Sequence, residues 1–231
     1  SCDIIAILIP DDQIPELLND YVIPNLKSKQ TLIFSHGYSI IYYKNKFPKD
    51  IDIILIAPSG SGYSVRNEFL NGTGVPNLIA IHQDSTGNAK ELALSYSCAI
   101  GGTQKGAFFS TFNEETETDL FGEQAVLIGG IKELIEASFN TLIDSGYSAT
   151  TAWFVCYYEV KNIVETFHKI GFIKFMKLIS ENAEFGAYTK GSRIINKSEL
   201  NKIIKEIKSK KFHRELLQNK DSTLKKYREI E

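Results

Sequence analysis

The sequence of 231 residues lacks the features that mark several classes of protein. Its three cysteines, Cys2, Cys98 and Cys156, lie far apart in apolar surroundings, which suits reduced thiols in the cytoplasm. Cysteines and histidines do not show the spacing of a zinc site. No stretch approaches the roughly 18–20 uncharged apolar residues that a bilayer span requires, so no membrane association is expected. The formal net charge of −2 gives no indication of a nucleic-acid partner.

The glycine-rich fingerprint G-x-G-x-x-G is also absent from this sequence. In dinucleotide-binding folds this motif forms the first strand-to-helix turn, which holds the pyrophosphate of the cofactor. The chain instead opens on CDIIAILIP (2–10), a continuous apolar run that is typical of a strand buried on both faces of a parallel sheet. Since a domain rarely opens on such a strand, we expect the fold to begin upstream of residue 1.

The composition is that of an ordinary globular protein, with 43% apolar and 23% charged residues. Short apolar runs alternate with helical patterns up to about residue 110, which predicts βαβ units and a Rossmann-type parallel sheet. The predicted strands are 3–9, 31–37, 52–62 and 77–84, and the predicted helices are near 13–20 and at 87–102. Beyond this point no strand is predicted, and helices are expected at 122–145, 148–168, 197–208 and 210–230. We therefore predict a partial α/β domain over 1–110 and an all-α domain over 111–231.

Polar, small or kinked residues follow three of the predicted strands, as Pro10-Asp11, Ser35-His36-Gly37 and PSGSG (58–62). Ligands of parallel sheets bind at the carboxyl ends of the strands. His36 is therefore a candidate catalytic residue, although a lone histidine is more often structural. The glycines of PSGSG would let the backbone approach a ligand closely, but a plain strand-to-helix turn explains them as well.

The other histidines are weaker candidates for a catalytic role. His82 also follows a predicted strand, but no acidic cluster accompanies it. His168 and His213 lie in predicted helices and are expected on their surfaces.

An acidic cluster, ETETDLFGEQ (115–124), precedes the strongest apolar stretch of the chain, AVLIGGIKELIEASFNTLI. On a helix Asp119 and Glu123 would share one face, where like charges repel unless a cation lies between them. Glu159 adds a third carboxylate in the next predicted helix. Oxygen ligands in an incomplete protein shell suit Mg²⁺. The spacing leaves open the alternative that these residues are the acidic groups that the dipole favours at a helix start.

Together these segments resemble, in order and spacing, ketol-acid reductoisomerase of the short class. The resemblance extends from residue 3 to about 220 and is carried by FSHGYSI, APSGSGYSVRNEFLNGTGVP, IAIHQDSTGNAKELALSYSCAIGG, FNEETETDLFGEQAVLIGG and ISENAEFGAYTKG. It implies a Rossmann-type NADP-binding domain and a helical domain that interlocks with its twin in a homodimer. It also implies a small-molecule substrate, 2-acetolactate or 2-aceto-2-hydroxybutyrate, on the route to valine and isoleucine. In the implied reaction a Mg²⁺-assisted alkyl migration precedes hydride transfer from NADPH and gives a 2,3-dihydroxy acid.

The resemblance also implies roles for individual residues. Asp119 matches the aspartate that touches both Mg²⁺ ions, and Glu123 the glutamate that completes the first. Glu159 matches one of two glutamates, four apart, that serve the second ion. Ser180 matches the serine that holds the substrate carboxylate, and His36 the active-site histidine. The residues that match cofactor contacts are Asp11, Asp12, Gln13, Ile14 and Gly62.

Three positions depart from the family pattern. Ser59 replaces a lysine, Tyr63 replaces the usual histidine, and Val155 replaces the glutamate that would partner Glu159. Loss of one carboxylate weakens a second Mg²⁺ ion, because Mg²⁺ sites in proteins rely on few carboxylates. Two alternatives to an active enzyme therefore remain: a decayed homologue that keeps the dimer core, and a plain NAD(P)-dependent hydroxy-acid dehydrogenase. The paired carboxylates disfavour the dehydrogenase, since hydride transfer alone needs no metal pair.

Overall fold

The protein is described from a computed structural model, over residues 2–229. Two compact units are present. The first consists of the residues up to Asp119 together with those from Phe212 onward, and the second of Leu120–Lys211. The division into domains at 1–110 and 111–231 stays a prediction, because compact units and domains need not share a boundary.

One five-stranded sheet forms the centre of the first unit, with its strands in the order β1-β2-β3-β4-β5. The strands are β1 (Ile4–Ile7), β2 (Thr31–Phe34), β3 (Asp52–Pro58), β4 (Asn77–Gln83) and β5 (Ala107–Phe109). The pairings β1–β2, β2–β3 and β4–β5 are parallel. This mostly parallel sheet, followed by helices, confirms the predicted fold class.

The pairing of β3 with β4 is antiparallel, so the expectation of a wholly parallel sheet is wrong at this step. Asn77 pairs with Pro58, which means that β4 starts beside the end of β3. Gly72 and Gly74 take positive φ values in the segment between the two strands, which brings the chain back to the carboxyl end of β3 before β4 starts.

The helices are more numerous than the sequence predicted, and several are shorter than their predicted ranges. They are α1 (Ile14–Glu16), α2 (Tyr38–Tyr42), α3 (Gly62–Leu70), α4 (Ala89–Ala99), α5 (Phe112–Gly122), α6 (Gly129–Asp144), α7 (Ala149–Trp153), α8 (Glu159–Ile170), α9 (Phe172–Met176), α10 (Glu181–Lys190), α11 (Lys197–Lys208) and α12 (Lys211–Arg228). Turns of π-helix lie at Leu17–Val22, Glu123–Leu127 and Phe154–Tyr158, and turns of 3-10 helix at Ile23–Asn25, Gly102–Gln104 and Gly191–Arg193. Among the described helices, none combines the length and the apolar character that a membrane span requires.

Several predicted boundaries need correction. The strand predicted at 52–62 ends at Pro58, and Gly62 begins α3 instead. The helix predicted from residue 122 follows a separate helix, α5, that starts at Phe112. The elements α2, α3, β5, α9 and α10 were not predicted. The helix predicted at 197–208 is confirmed, and that at 210–230 is confirmed as α12, although residue 230 lies outside the described residues.

Apolar residues bury both faces of the sheet. On one face, side chains from β1, β2 and β3 pack with Ile14, Leu18 and Phe112. On the other face, Ile33, Ile54 and Ile79 pack against α4. The first face brings α5 against the end of β2, and the candidate site lies there.

Candidate active site

Helix α5 carries an acidic side chain into the core. Its start is capped by Thr111, whose Oγ1 accepts a hydrogen bond from the backbone N–H of Glu114 at 3.0 Å. Phe112, Glu115, Thr116 and Leu120 are buried and recur at helical spacing, so they form one stripe of the helix, on which Phe112 packs against the sheet. Two of these four residues are polar. A carboxylate on such a stripe requires a partner in the core.

The partner of Glu115 is the turn that follows β2. The Glu115 side chain is almost fully buried, and His36 Nδ1 lies 2.8 Å from its Oε1. Because an ionised carboxylate only accepts, Nδ1–H is the donor. The other oxygen, Oε2, accepts a 2.8 Å hydrogen bond from the backbone N–H of Gly37. Glu115 therefore fixes both the ring of His36 and the backbone next to it.

Gly37 allows this close approach because it has no Cβ. A Cβ placed there would lie 2.9 Å from Glu115 Oε2 and 2.9 Å from the carbonyl oxygen of Phe112, and closer still to Thr116 Oγ1. The glycine is therefore required for the packing of α5 against the turn.

Two further carboxylates face the same histidine. Asp119, one helical turn after Glu115, lies with Oδ2 3.6 Å from His36 Nδ1, and 47% of its side chain is exposed. Burial raises the pKa of Asp119, His36 lowers it, and the charge of Glu115 raises it again. Asp11, after β1, has a pKa raised by burial and by Glu115 and Asp119, against the opposing effect of His36. Three carboxylates thus share one imidazole.

The same group of residues fits a divalent cation. Among residues 2–229, ligand atoms of His36, Glu115 and Asp119 all lie within 4.8 Å of one another. Oε1 of Glu115 is bonded to His36 Nδ1 and Oε2 to the backbone N–H of Gly37, whereas Asp119 is half exposed. Mg²⁺ prefers one or two carboxylates and retains several waters. Asp119 is therefore the residue of this group best placed to hold the ion.

The residues of the predicted cofactor loop after β1 have different surroundings. Asp11 faces the acidic group described above. Asp12 is exposed and accepts a 2.7 Å hydrogen bond from Lys220 Nζ. Gln13 is exposed, whereas Ile14 is buried in the core, so only its backbone is available to a ligand.

Gly62 lies at the first position of α3, and a Cβ there would meet nothing within 4 Å. It borders a cavity of about 640 Å³ on the α4 side of the sheet, lined also by Leu8, Ser35, Gly60 and Arg66. The cavity lies at the carboxyl ends of β1, β2 and β3.

Two of the residues that depart from the family pattern lie near this strand end. Ser59 is exposed, and its backbone N–H donates to the carbonyl of Pro76 at 2.9 Å. Tyr63 is also exposed.

Four residues that the family resemblance singled out lie in the second unit and are all exposed: Glu123, Val155, Glu159 and Ser180. Glu123 begins one π-helical turn, and Val155 lies within another, Phe154–Tyr158, which ends immediately before Glu159. Ser180 caps α10, with its Oγ accepting from the backbone N–H of Ala183 at 3.3 Å. Their metal and substrate roles stay predictions.

One histidine contradicts its prediction. His213 was expected on a helix surface, but it is buried, because α12 packs its first turn against α2 and places Nδ1 2.7 Å from Tyr38 Oη. His168 is exposed, as predicted. His82 packs edge-on against Phe112, and burial lowers its pKa.

Sequence reasoning missed Glu115, which it treated only as one of the clustered acids of ETETDLFGEQ (115–124). A signal was present, however. Glu115 and Thr116 occupy the apolar stripe set by Phe112 and Leu120, and a charged residue on a core-facing stripe indicates a buried partner.

Comparison with known proteins covers nearly the whole chain. Residues 1–106 match the family model described as "Acetohydroxy acid isomeroreductase, NADPH-binding domain". Residues 112–231 match the one described as "Ketol-acid reductoisomerase, C-terminal domain". An NADH-preferring ketol-acid reductoisomerase from an uncultured archean is similar in structure, with a TM-score of 0.94 and 35% identity over 99% of this chain and 71% of that chain.

More distant structures share the fold alone. A semialdehyde dehydrogenase NAD-binding protein from Cupriavidus necator has a TM-score of 0.61 and 12% identity, over 90% of this chain and 78% of that chain. A pyrroline-5-carboxylate reductase from Coxiella burnetii has a TM-score of 0.56 and 14% identity, over 90% of this chain and 75% of that chain.

Proposed function

Because the chain belongs to the ketol-acid reductoisomerase family, we propose that it converts 2-acetolactate or 2-aceto-2-hydroxybutyrate into a 2,3-dihydroxy acid. The proposed reaction is a Mg²⁺-dependent alkyl migration followed by reduction with NADPH, in valine and isoleucine biosynthesis. The observation that carries the proposal is the group of Asp11, His36, Glu115 and Asp119 at the ends of β1 and β2.

The carboxylates of this group support the metal-dependent step. When bound, Mg²⁺ supplies the Lewis acidity that creates the alkoxide and polarises the neighbouring carbonyl. Asp119 would hold the metal with its exposed oxygens. Glu123 and Glu159 are the further carboxylates that we propose as metal ligands, and Ser180 is the residue that we propose to bind the substrate carboxylate.

His36 would serve as the proton donor of the site. Burial lowers its pKa, but the hydrogen bond and charge of Glu115 raise it more, to about 9. In the metal-free protein the ring is therefore protonated at neutral pH. Because Nδ1–H points to Glu115, Nε2–H is the proton that remains for a substrate oxygen. Glu115 acts by holding the ring and is a positioning residue.

The strand-end loops would hold the nicotinamide cofactor, which supplies the hydride. Gly62 offers open space beside the cavity, and Asp12 and Gln13 are exposed at the end of β1. We propose NADPH as the reductant, in line with the matched NADPH-binding domain. NADH is the alternative, because the similar archean structure is that of an NADH-preferring enzyme.

We also propose that the protein is a cytoplasmic homodimer. In the second unit the consecutive residues Val126, Leu127 and Ile128 are each about half or more exposed. Apolar surface of this kind favours burial against another chain. Light scattering of the purified protein tests this point, and a monomer at micromolar concentration would contradict it.

A spectrophotometric assay tests the proposed reaction. The full-length gene product is incubated with 2-acetolactate and NADPH or NADH, with either Mg²⁺ or EDTA. We expect cofactor oxidation that requires Mg²⁺ and yields the dihydroxy acid. Oxidation that is unchanged in EDTA would contradict the metal-dependent migration.

The decayed-homologue alternative rests on Ser59 and Val155. It predicts that the protein reduces a 3-hydroxy-2-keto acid, which needs no migration, but leaves 2-acetolactate unchanged. A plain dehydrogenase would also reduce simple 2-keto acids in EDTA. The same assay with these substrates therefore separates the three readings.

A further inference from the structure

The C-terminal helix α12 inserts a histidine into a tyrosine cluster of the first unit. His213 is only 8% exposed. The ring of Tyr42 stacks on its imidazole at 4.9 Å, and Tyr38 and Tyr43 meet it edge-on at 5.5 Å and 5.2 Å. Aromatic contacts of this kind contribute beyond the area that they bury.

One of these tyrosines is also hydrogen-bonded to the histidine. Tyr38 Oη lies 2.7 Å from His213 Nδ1, and Tyr38 is itself buried. Burial raises the pKa of Tyr38, so its hydroxyl stays neutral. A buried polar pair constrains position strongly, because each partner loses a costly hydrogen bond if the other moves.

Tyr38 connects this pair to the site. It begins α2 directly after Gly37, whose backbone is bound by Glu115, and its ring lies 6.1 Å from that of His36 at an interplanar angle of 22°. A shift of Tyr38 would therefore move the backbone that sets the His36 ring.

A second contact of α12 reaches the neighbouring loop. Lys220 donates a 2.7 Å hydrogen bond to Asp12 Oδ2. His213 and Lys220 are seven residues apart, which places them on the same side of the helix, two turns from each other. Asp12 adjoins Asp11, which faces the acidic group. One side of α12 thus contacts both strand-end loops that carry the site.

We infer that α12 is a positioning element for the active site, in which His213 acts through Tyr38 and Lys220 acts through Asp12. Neither residue touches the reacting group, so both are positioning residues. His213 has the larger effect, since its contacts are buried, whereas the exposed Lys220–Asp12 pair is weakened by solvent. The inference deepens the proposed function and rests on it.

Variants of the full-length gene product test the inference. Tyr38→Phe removes the hydroxyl and keeps the ring, and His213→Ala removes the imidazole. His213→Asn keeps a polar group near the position of Nδ1. Gln218→Ala is the matched control, because Gln218 is exposed on the same helix. The measurements are kcat and KM for 2-acetolactate, together with amide hydrogen exchange of residues 36–43.

We expect kcat to fall about tenfold in Tyr38→Phe and His213→Ala, with KM changed less than about threefold, because displacement of catalytic groups chiefly affects the chemical step. His213→Asn should recover most of the loss, and Lys220→Gln should lower kcat less than about threefold. Exchange of residues 36–43 should accelerate in His213→Ala and in Tyr38→Phe and stay unchanged in Gln218→Ala.

A merely structural role would lower the melting temperature and leave kcat unchanged below it, which would overturn the inference. Should His213→Ala fail to fold, Tyr38→Phe and His213→Asn decide the outcome. If the wild-type protein turns over no 2-acetolactate, the proposed function fails. The exchange measurement then still tests whether α12 holds the turn, and equal exchange in wild type and Tyr38→Phe would overturn that claim.

Discussion

The imidazole of His36 is kept in its charged form by the carboxylates around it. Burial lowers its pKa, but Glu115, Asp11 and Asp119 raise it from 6.5 to about 9. A group whose pKa rises on folding binds its proton more tightly in the folded state. The stability that it contributes is therefore complete below 6.5, and it is lost as the pH rises through about 9.

Replacement of the histidine removes this pH dependence. In metal-free protein we expect His36→Gln to be less stable than wild type at about pH 6 by on the order of 2–3 kcal/mol, with the difference shrinking toward pH 10. Denaturant unfolding at a series of pH values measures it. Glu115→Gln is the control that should flatten the same dependence. A difference that stays constant with pH would refute this explanation.

Gly37 and Gly62 should respond differently to the same substitution. Gly37→Ala places a Cβ against Glu115 and Phe112, so we expect a loss of about 1–3 kcal/mol in the free energy of unfolding and at least tenfold in kcat. Gly62→Ala meets no neighbour within 4 Å, so its stability should stay within about 0.5 kcal/mol of wild type while cofactor affinity falls. Thermal unfolding and cofactor titration of both variants separate the two effects, and equal destabilisation would contradict them.

At the level of elements, the start of β3 anchors the loop that leads into α4. Asp52 is buried, and its two oxygens accept hydrogen bonds from the backbone and hydroxyl groups of Ser85 and Thr86, at 2.6–3.2 Å. Burial raises the pKa of Asp52, but these hydrogen bonds together lower it below 3.8. Its stabilising effect is therefore present above 3.8 and is lost as the pH falls through the lower, folded-state value.

We expect Asp52→Asn to lower the free energy of unfolding by about 1–3 kcal/mol near pH 7, and by less as the pH falls below 3.8. Urea unfolding at neutral and acid pH measures the change. Asp50→Asn, an exposed neighbour, serves as the control. A loss that is equal for the two variants would argue against the anchoring role.

The π-helical turn Phe154–Tyr158 bears on the alternative of a decayed enzyme. Val155 is 49% exposed, so Val155→Glu adds a carboxylate near Glu159 without burying its charge. At limiting Mg²⁺ we expect the variant to raise 2-acetolactate conversion by about tenfold, equivalent to about 1.4 kcal/mol, because alkyl migration depends on the metal.

Reduction of a 3-hydroxy-2-keto acid by the same variant should change much less. Asn162→Glu, which adds an exposed carboxylate farther along α8, should change neither rate. Equal gains on both substrates, or none on either, would show that Val155 is not what limits the protein.

The sequence predicted elements where apolar patterns were long, and missed them where tertiary contacts decide. The strands β1 to β4 and the helix α11 follow from apolar runs and amphipathic spacing. Strand β5, with three residues, and helix α2, with five, are too short to show a hydrophobic periodicity. His213 was misplaced because its burial depends on tyrosines 170 residues or more away in the chain.

At the scale of the whole molecule, the site joins segments that are distant in sequence. His36 and Asp119 were predicted as site residues, and the structure brings them together within the first unit. Glu115 could not be assigned from composition, because its role depends on the turn that it contacts 78 residues away. The polar residues that follow the strands could be predicted from the sequence, whereas the exact strand ends and the helix that packs on them could not.

The central claim is that the group around Asp119 is a Mg²⁺ site, and metal-dependent stabilisation tests it most directly. The melting temperature is measured with and without Mg²⁺ for wild type, Asp119→Asn and Glu114→Gln, the last being a control that removes an exposed carboxylate from the same helix. We predict that Mg²⁺ raises the melting temperature of wild type and of Glu114→Gln, because a ligand that binds only the folded state stabilises it. The increase should vanish in Asp119→Asn. An increase that persists unchanged in Asp119→Asn would contradict the assignment of the site.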